Sequence, residues 1–172
     1  MSNTTPSLDV SATSRVGVTN IKDAISNKSE GGSGGTSFTL VKQEYAVLKI
    51  KVWTDKGSGN YSDRQLIKDI QLTWDNGASE YITGNHSGNS ANFDFNDNEK
   101  VTQMIIRAGD KVDKISFTTD KEKDGTLRSF SAGDENGSPC PQQLGVGIFV
   151  GFHGTYDPVN KELNSLGADF SN

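Results

Sequence analysis

Apolar and polar residues alternate with a period of two along most of this chain. Phe38 and Leu40, then Leu48, Ile50 and Val52, then Ile70, Leu72 and Trp74 are separated by polar neighbours. That is the pattern of a strand with one face in a core and the other in water. The same rule predicts strands at Phe93 to Phe95, Val101 to Arg107, Lys114 to Thr118, Leu127 to Ser131, Val146 to His153 and Leu163 to Phe170. Within Val146 to His153 the pattern directs Val146, Ile148, Val150 and Phe152 one way and Gly147 and Gly151 the other, and alternating glycines in a strand mark close backbone approach or a bend. Asp75-Asn76-Gly77 predicts a hairpin turn onto Tyr81-Ile82, because Asn-Gly readily takes positive φ angles. Helical spacing occurs once, at Ile21, Ala24 and Ile25 behind a Thr19 or Asn20 cap. So short a helix is marginal alone, and Thr19 to Lys28 is expected to be a loop or one helical turn. Up to a dozen short strands and no long helix define an all-β fold, which periodicity alone fits to a sandwich or a barrel equally well.

Composition narrows the function classes. At 172 residues the chain is expected to form one domain, and its 32% hydrophobic content and 19 glycines suit many short elements joined by turns. Residues 1–13 are polar, include Pro6 and show no periodicity, so a flexible tail is expected there, with the domain spanning 14–172. The net charge of -5, with no basic stripe, gives counterion release little to work with, and nucleic acid is not an expected partner. No basic leader with an apolar segment and no stretch of transmembrane length is present, which predicts a cytoplasmic or leaderless secreted protein without membrane insertion. Cys140, the single cysteine, stands between Pro139 and Pro141 and reads as a loop residue. The Asn-x-Ser/Thr triplets at Asn3, Asn27, Asn60, Asn85 and Asn136 then report polar loops.

Residues able to do chemistry are scattered. His86 and His153 have no metal-ligand partner at suitable spacing, so neither a metal nor a cofactor is expected. Asp120-Lys121-Glu122-Lys123-Asp124-Gly125 has the acidic spacing of a calcium loop but ends on Ser131 at the twelfth place, and it reads as a solvated hairpin loop. The carboxylate pairs Asp94/Asp97 and Asp134/Glu135 lie in polar turns, and no nucleophile with a base is legible, so the chain is not expected to be an enzyme. Trp53 and Trp74 occupy strand positions and are expected to pack. The remaining signal is Gly31-Gly32-Ser33-Gly34-Gly35, where backbone amides can approach a small polar ligand closely.

That glycine run, with Gly151-Phe152-His153-Gly154 and Leu163-Asn164-Ser165-Leu166-Gly167, resembles the jacalin-related lectins. The middle of the chain fits the same rhythm, from Gly84 to Asn89 through Phe93, Phe95, Glu99, Val101 and Ile105 to Ile115 and Phe117, so the resemblance covers roughly Ser14 to Phe170. It implies a β-prism of three four-stranded antiparallel sheets with a sugar site at one end. It further implies a lectin for mannose- or glucose-type glycans, with glycans or glycoproteins as partners and a homo-oligomeric state. The galactose-preferring members depend on a cleaved chain with a free amine at the binding glycine, whereas here more than thirty residues precede Gly35. Carried over by position, the sugar site comprises Gly34, Gly35, Tyr156, Asp157, Asn160, Lys161, Glu162 and Asn164. Two positions depart from the family: Asn164 stands where its ligand aspartate stands, and Asn160 where its motif begins with glycine. The amide lacks the charge-assisted strength of a carboxylate. Asp157 or Glu162 could supply the charge from a different position, and the alternative is an interaction or scaffold protein that keeps the prism without binding sugar.

Overall fold

The computed structural model describes residues 24–172. The tail, Ile21 and the Thr19 or Asn20 cap lie outside the described residues. From Ala24 onward the two-residue period becomes thirteen strands: β1 (Ala24–Ser26), β2 (Glu30–Gly31), β3 (Thr36–Val41), β4 (Val47–Lys56), β5 (Gln65–Trp74), β6 (Ser79–Tyr81), β7 (Asn89–Asp94), β8 (Val101–Ala108), β9 (Val112–Lys123), β10 (Thr126–Gly133), β11 (Ser138–Pro141), β12 (Phe149–Asp157) and β13 (Glu162–Ser171). The described residues contain one 3-10 turn, Gly59–Tyr61, and no helix long and apolar enough to cross a membrane.

All strand pairs are antiparallel and form three sheets. Sheet I has the order β1-β13-β12-β3, with β2 sharing the outer position beside β13, so it is four strands wide. Sheet II runs β6-β5-β4-β7 and sheet III runs β10-β9-β8-β11. The three wrap one apolar core, as the β-prism expectation requires. Ile50 and Val52 of β4, Ile70, Leu72 and Trp74 of β5, Ile106 of β8, Ile115 of β9, and Phe152 and Phe170 of sheet I meet in it. Trp74 is fully buried and its Nε1–H donates to the Val150 carbonyl at 2.9 Å, tying sheet II to sheet I.

Several local expectations are corrected, each by backbone geometry that a strict period of two omits. Val47 pairs with Trp74 and Lys49 with Thr73, so a bulge takes Leu48 out of the inward set and puts Val47 there. The strand expected from Val146 begins at Phe149, and Val146 is exposed. A second bulge, between Phe149 and Gly151, sends Phe149 and Phe152 into the main core while Ile148 and Val150 pack separately with Ala46. Ala24 to Ser26 is a strand on β13, not a helical turn. Cys140 lies in strand β11, whose two prolines are tolerated at a sheet edge. Burial pushes its thiol pKa up, which favours the protonated form. The Asp120 to Gly125 segment is strand as far as Lys123, and Asp124-Gly125, both at positive φ, closes β9 onto β10 in a two-residue turn.

Candidate functional site

The central hairpin of each sheet carries a β-bulge at a matching place near one end of the prism. In sheet I Thr155 pairs with Ser165 and Tyr156 with Leu163, which leaves Asn164 as the extra residue. In sheet II Trp53 pairs with Asp69 and Thr54 with Ile67, leaving Lys68. In sheet III Arg107 pairs with Lys114 and Ala108 with Val112, leaving Asp113. A bulge re-aims its extra side chain out of the strand pattern. Core residues flank each one, Leu163 and Leu166, Ile67 and Ile70, Val112 and Ile115, so all three bulged polar residues are buried and need partners.

The partners come from neighbouring sheets. Lys111, in the β8–β9 turn of sheet III, donates its Nζ to Asn164 Oδ1 at 2.7 Å. Glu162, opening β13 of sheet I, accepts from Lys68 Nζ at 2.7 Å. Arg64, just before β5 of sheet II, donates its Nε to Asp113 Oδ1 at 3.1 Å, and its Nη2 to the same oxygen. Asn164 also donates Nδ2 to the Gly34 carbonyl at 3.3 Å. Glu162 is the centre of this network: it also accepts from Ser58 Oγ at 2.6 Å and Ser58 N at 3.3 Å, and stands 3.2 Å from Lys111 Nζ. Burial pushes the Glu162 pKa up, but the hydrogen bonds from Lys68 and Ser58 outweigh it and hold the carboxyl below its usual range.

The mouth of this arrangement lies between the glycine run and the β12–β13 turn. Gly35 has φ +86, and a Cβ there would lie 2.5 Å from Asn164 Nδ2 and against the Tyr156 carbonyl, so no other residue fits. Gly34 faces open space. Asp157 is partly exposed, and its carboxylate accepts from Val159 N at 2.9 Å, Asn160 N at 3.1 Å and Asn160 Nδ2 at 3.0 Å, with Lys111 Nζ at 3.8 Å. Burial pushes its pKa up, and these bonds with Lys111 outweigh that, so it is ionised well below neutrality. Lys161 takes φ +51, donates its amide to the Asp157 carbonyl at 2.8 Å and accepts from Asn85 Nδ2 at 3.0 Å, which fastens the turn to sheet II. Tyr156 is half-buried, its ring 6.4 Å from that of Phe38.

The structure therefore brings together Gly34, Gly35, Tyr156, Asp157, Asn160, Lys161 and Asn164. Glu162 belongs to the same cluster from beneath, fully buried and turned toward Lys68 and Ser58. Sequence reading missed Lys111, Lys68, Arg64 and Asp113. A signal for them exists in the repeat Leu163-Asn164-Ser165-Leu166, Ile67-Lys68-Asp69-Ile70 and Val112-Asp113-Lys114-Ile115, and in glycine pairs four apart at 31/35, 84/88 and 133/137. Trp53 and Trp74 pack as expected, and Trp53 carries His86 stacked on it at 3.7 Å between centroids, itself bonded to the buried Asp69 at 2.8 Å.

Comparison with known proteins agrees with this architecture. The sequence profile of the jacalin-like lectin domain matches residues 27–169. Among solved structures, a lamprey immune protein superposes with a TM-score of 0.71 at 20% identity over 87% of this chain, which spans only 44% of that protein. Malaysian banana lectin gives a TM-score of 0.63 at 20% identity, covering 87% of this chain and 100% of its own. A mannose-binding jacalin-related lectin from Ananas comosus gives 0.64 at 16% identity, covering 87% and 99%. Comparison with curated protein sequences gives no match.

Proposed function

From the premise that this chain belongs to the jacalin-like lectin domain family, we propose that it is a non-enzymatic carbohydrate-binding module for mannose- or glucose-type glycans. The observation that carries this reading is the meeting of Gly34-Gly35 with the Tyr156 to Asn164 hairpin, beside the ionised Asp157. A hexose presents donors and acceptors around a ring, and a fixed set of amides and one carboxylate can select one set of hydroxyl orientations. In this reading the backbone amides of Gly34 and Gly35 donate to sugar oxygens, and Asp157 accepts from a hydroxyl in place of the family's aspartate. Asn160 and Lys161 shape the turn that presents it, and Tyr156 lines the side. Asn164, Lys111 and Glu162 act as positioning residues beneath. No proton moves. Some structural neighbours are named as mannose-binding or as a mannotriose complex, which supports the ligand class.

Affinity should be weak, about 0.1–1 mM per site, or ~4–5.5 kcal/mol, and presentation of several copies in a homo-oligomer would raise avidity. Calorimetric titration with methyl α-mannoside and methyl α-glucoside tests the proposal. Saturable heat that Asp157→Asn removes is expected. Absence of saturation at roughly 10 mM, ten times the weaker limit, would overturn it. One observation favours a second reading: Lys111 already occupies the Asn164 acceptor, so a prism that serves as a protein-interaction scaffold is what a blank titration would leave.

A further inference from the structure

The outer face of sheet I holds a polar depression away from the glycine loops. Alternation turns Leu40, Phe152, Leu166 and Phe170 into the core, so their neighbours on β3, β12, β13 and β1 face outward in three rows. Ser37, Thr155 and Ser165 form the first row, Thr39, His153 and Gly167 the second, and Gly151, Asp169 and Ser26 the third. The side chains of these rows, with Ser29, line a cavity of ≈ 420 Å³, inside the range of roughly 300–1,000 Å³ typical of small-ligand sites. No lysine, arginine or glutamate lines it, whereas Lys49, Lys51 and Asp94 line the depression on the outer face of sheet II. Short hydroxyl side chains lose less rotamer freedom than long charged ones when a ligand orders them.

A buried carboxylate lies at one end of this cavity with an oxygen to spare. Asp169 is 7% exposed. Its Oδ1 accepts from Ser26 Oγ at 2.9 Å and stands 2.8 Å from His153 Nδ1, an ionic contact bent away from a straight hydrogen bond. Oδ2 takes no bond from the described residues, and unlike Asp113 Oδ2 it is not sealed from solvent but looks onto the cavity. Buried polar groups are nearly always paired, so this oxygen is an acceptor held ready. His153 Nε2 meets the Asn27 carbonyl, since a Cβ on Gly167 would fall 2.8 Å from one and 2.7 Å from the other. Oxygens at both ring nitrogens call for two N–H groups, which only the imidazolium has. Asp169 accordingly raises the ring's pKa against the effect of burial. Ser26, His153 and Asp169 are therefore no hydrolytic set: Ser26 bonds the carboxylate and not the ring, and the ring has no free nitrogen to take its proton.

The other end supplies a donor. The Thr155 and Ser165 hydroxyls lie 2.7 Å apart, and Ser165 Oγ also accepts the Thr155 amide at 3.1 Å. Whichever hydroxyl donates to the other, one O–H is left over for a ligand. Ser165 and Asp169 are four residues apart on one strand, about 13 Å at ~3.3 Å per residue. That is more than one pyranose ring spans and within the reach of two linked rings.

We propose that the outer face of sheet I binds a neutral disaccharide, one ring donating a hydroxyl to Asp169 Oδ2 and the other accepting from the Thr155–Ser165 pair, with Ser37 and Thr39 bonding the hydroxyls between. An imidazolium facing a carboxylate sums to no charge, so a charged ligand finds no counter-ion here and gives up its own hydration. Hydroxyl side chains both give and take hydrogen bonds, as sugar hydroxyls do. The ligand class follows from these groups and does not rest on the reading of the mouth.

Titration of the 15N-labelled full chain with maltose and α-1,2-mannobiose at about pH 6, where histidine is charged, tests the proposal. The readouts are the His153 ring nitrogens and the amides of Ser26 and Thr39, with Gly34 and Gly35 reporting on the mouth. Saturable shifts at His153, Ser26 and Thr39 with half-saturation below about 10 mM are expected. Methyl α-glucoside, the cationic glucosamine dimer and the anionic digalacturonate should each bind there at least fivefold more weakly. Thr39→Val, an isosteric change at an exposed strand position, should weaken the disaccharide at least threefold, and Asp169→Asn at least tenfold. Shifts confined to Gly34 and Gly35 overturn this site and keep the first, shifts confined to the sheet I face do the reverse, and no shifts overturn both. Face shifts that vanish in Asp157→Asn belong to the mouth and overturn the site. Equal binding of the charged dimers, or of the disaccharide by Thr39→Val, overturns the assignment of ligand and contacts; those two comparisons decide it if Asp169→Asn does not fold.

Discussion

Glu162→Gln should be among the most destabilising conservative substitutions in this chain. The carboxylate is fully buried and satisfies Lys68 Nζ at 2.7 Å, Ser58 Oγ at 2.6 Å and Lys111 Nζ at 3.2 Å. Glutamine preserves the shape and one acceptor oxygen but leaves the Lys68 ammonium, itself buried, without a counter-charge. Breaking a buried pair from one side costs about 3–5 kcal/mol. Because glutamine still accepts one hydrogen bond, we place the loss near the lower end, about 3 kcal/mol. For a domain of this size that lowers Tm by roughly 6–12 °C. Replacing both partners, Glu162→Leu with Lys68→Met, removes the uncompensated charge and should recover most of the loss. The pH dependence has a definite sign: the folded-state pKa of Glu162 is depressed, so its contribution is present above the ordinary 4.5 and is lost as pH falls through the folded value. Urea unfolding followed by Trp fluorescence at neutral pH and near pH 3 measures all three quantities. A Glu162→Gln variant within about 0.5 kcal/mol of the parent, or a double variant no more stable than the single one, would refute the reasoning.

Asn164→Asp gives up the Nδ2 bond to the Gly34 carbonyl that holds the glycine loop and should weaken hexose binding roughly fivefold, about 1 kcal/mol; unchanged or tighter calorimetric affinity would show that this side chain meets the sugar itself. His153 should make stability fall at alkaline pH. The hydrogen bond to Asp169 raises its pKa against the effect of burial, with a further bond to the Asn27 carbonyl, so its contribution is full below the ordinary 6.5 and fades as pH rises through the folded value. A urea midpoint that drops between about pH 6 and 9 in the parent but not in His153→Gln is the expected result. Trp74→Phe loses the Nε1 bond to Val150 and part of a fully buried ring, and should cost about 2 kcal/mol in the same assay.

What was legible in the sequence follows the range of the physics that encodes it. Alternation found most of the larger strands, because each strand declares its inward face locally. It failed at Leu48 and around Val150, where a bulge inserts one residue and reverses the faces that follow. It also missed Ala24 to Ser26, which is held by β13 and not by its own pattern. The meeting of Gly35 with Asn164 came from family resemblance, since the 130 residues separating Gly34 from Asn164 put it beyond any local signal. Lys111 to Asn164, Arg64 to Asp113 and Lys68 to Glu162 span 53, 49 and 94 residues. Each looks like an ordinary solvated charge until the three sheets close.

The three inter-sheet bonds form a cycle: sheet III reaches into sheet I through Lys111, sheet I into sheet II through Glu162, and sheet II into sheet III through Arg64. Apolar contacts in the core below hold the sheets together but are non-directional. Hydrogen-bonded side chains of fixed length are directional, and here each fixes the rotation of one sheet against the next at the end that carries the glycine loops. Three cations, Lys68, Lys111 and Arg64, face three carboxylates, Glu162, Asp113 and Asp157, so the cycle closes without net charge. An all-apolar ring could be as stable, since buried ion pairs gain little over hydrophobic residues of equal volume. It would not hold Gly35 and the β12–β13 turn at set positions. Weak ligands are bound by sites that need no rearrangement, and a polar ring at this end of the prism supplies that order where an apolar one would supply only cohesion.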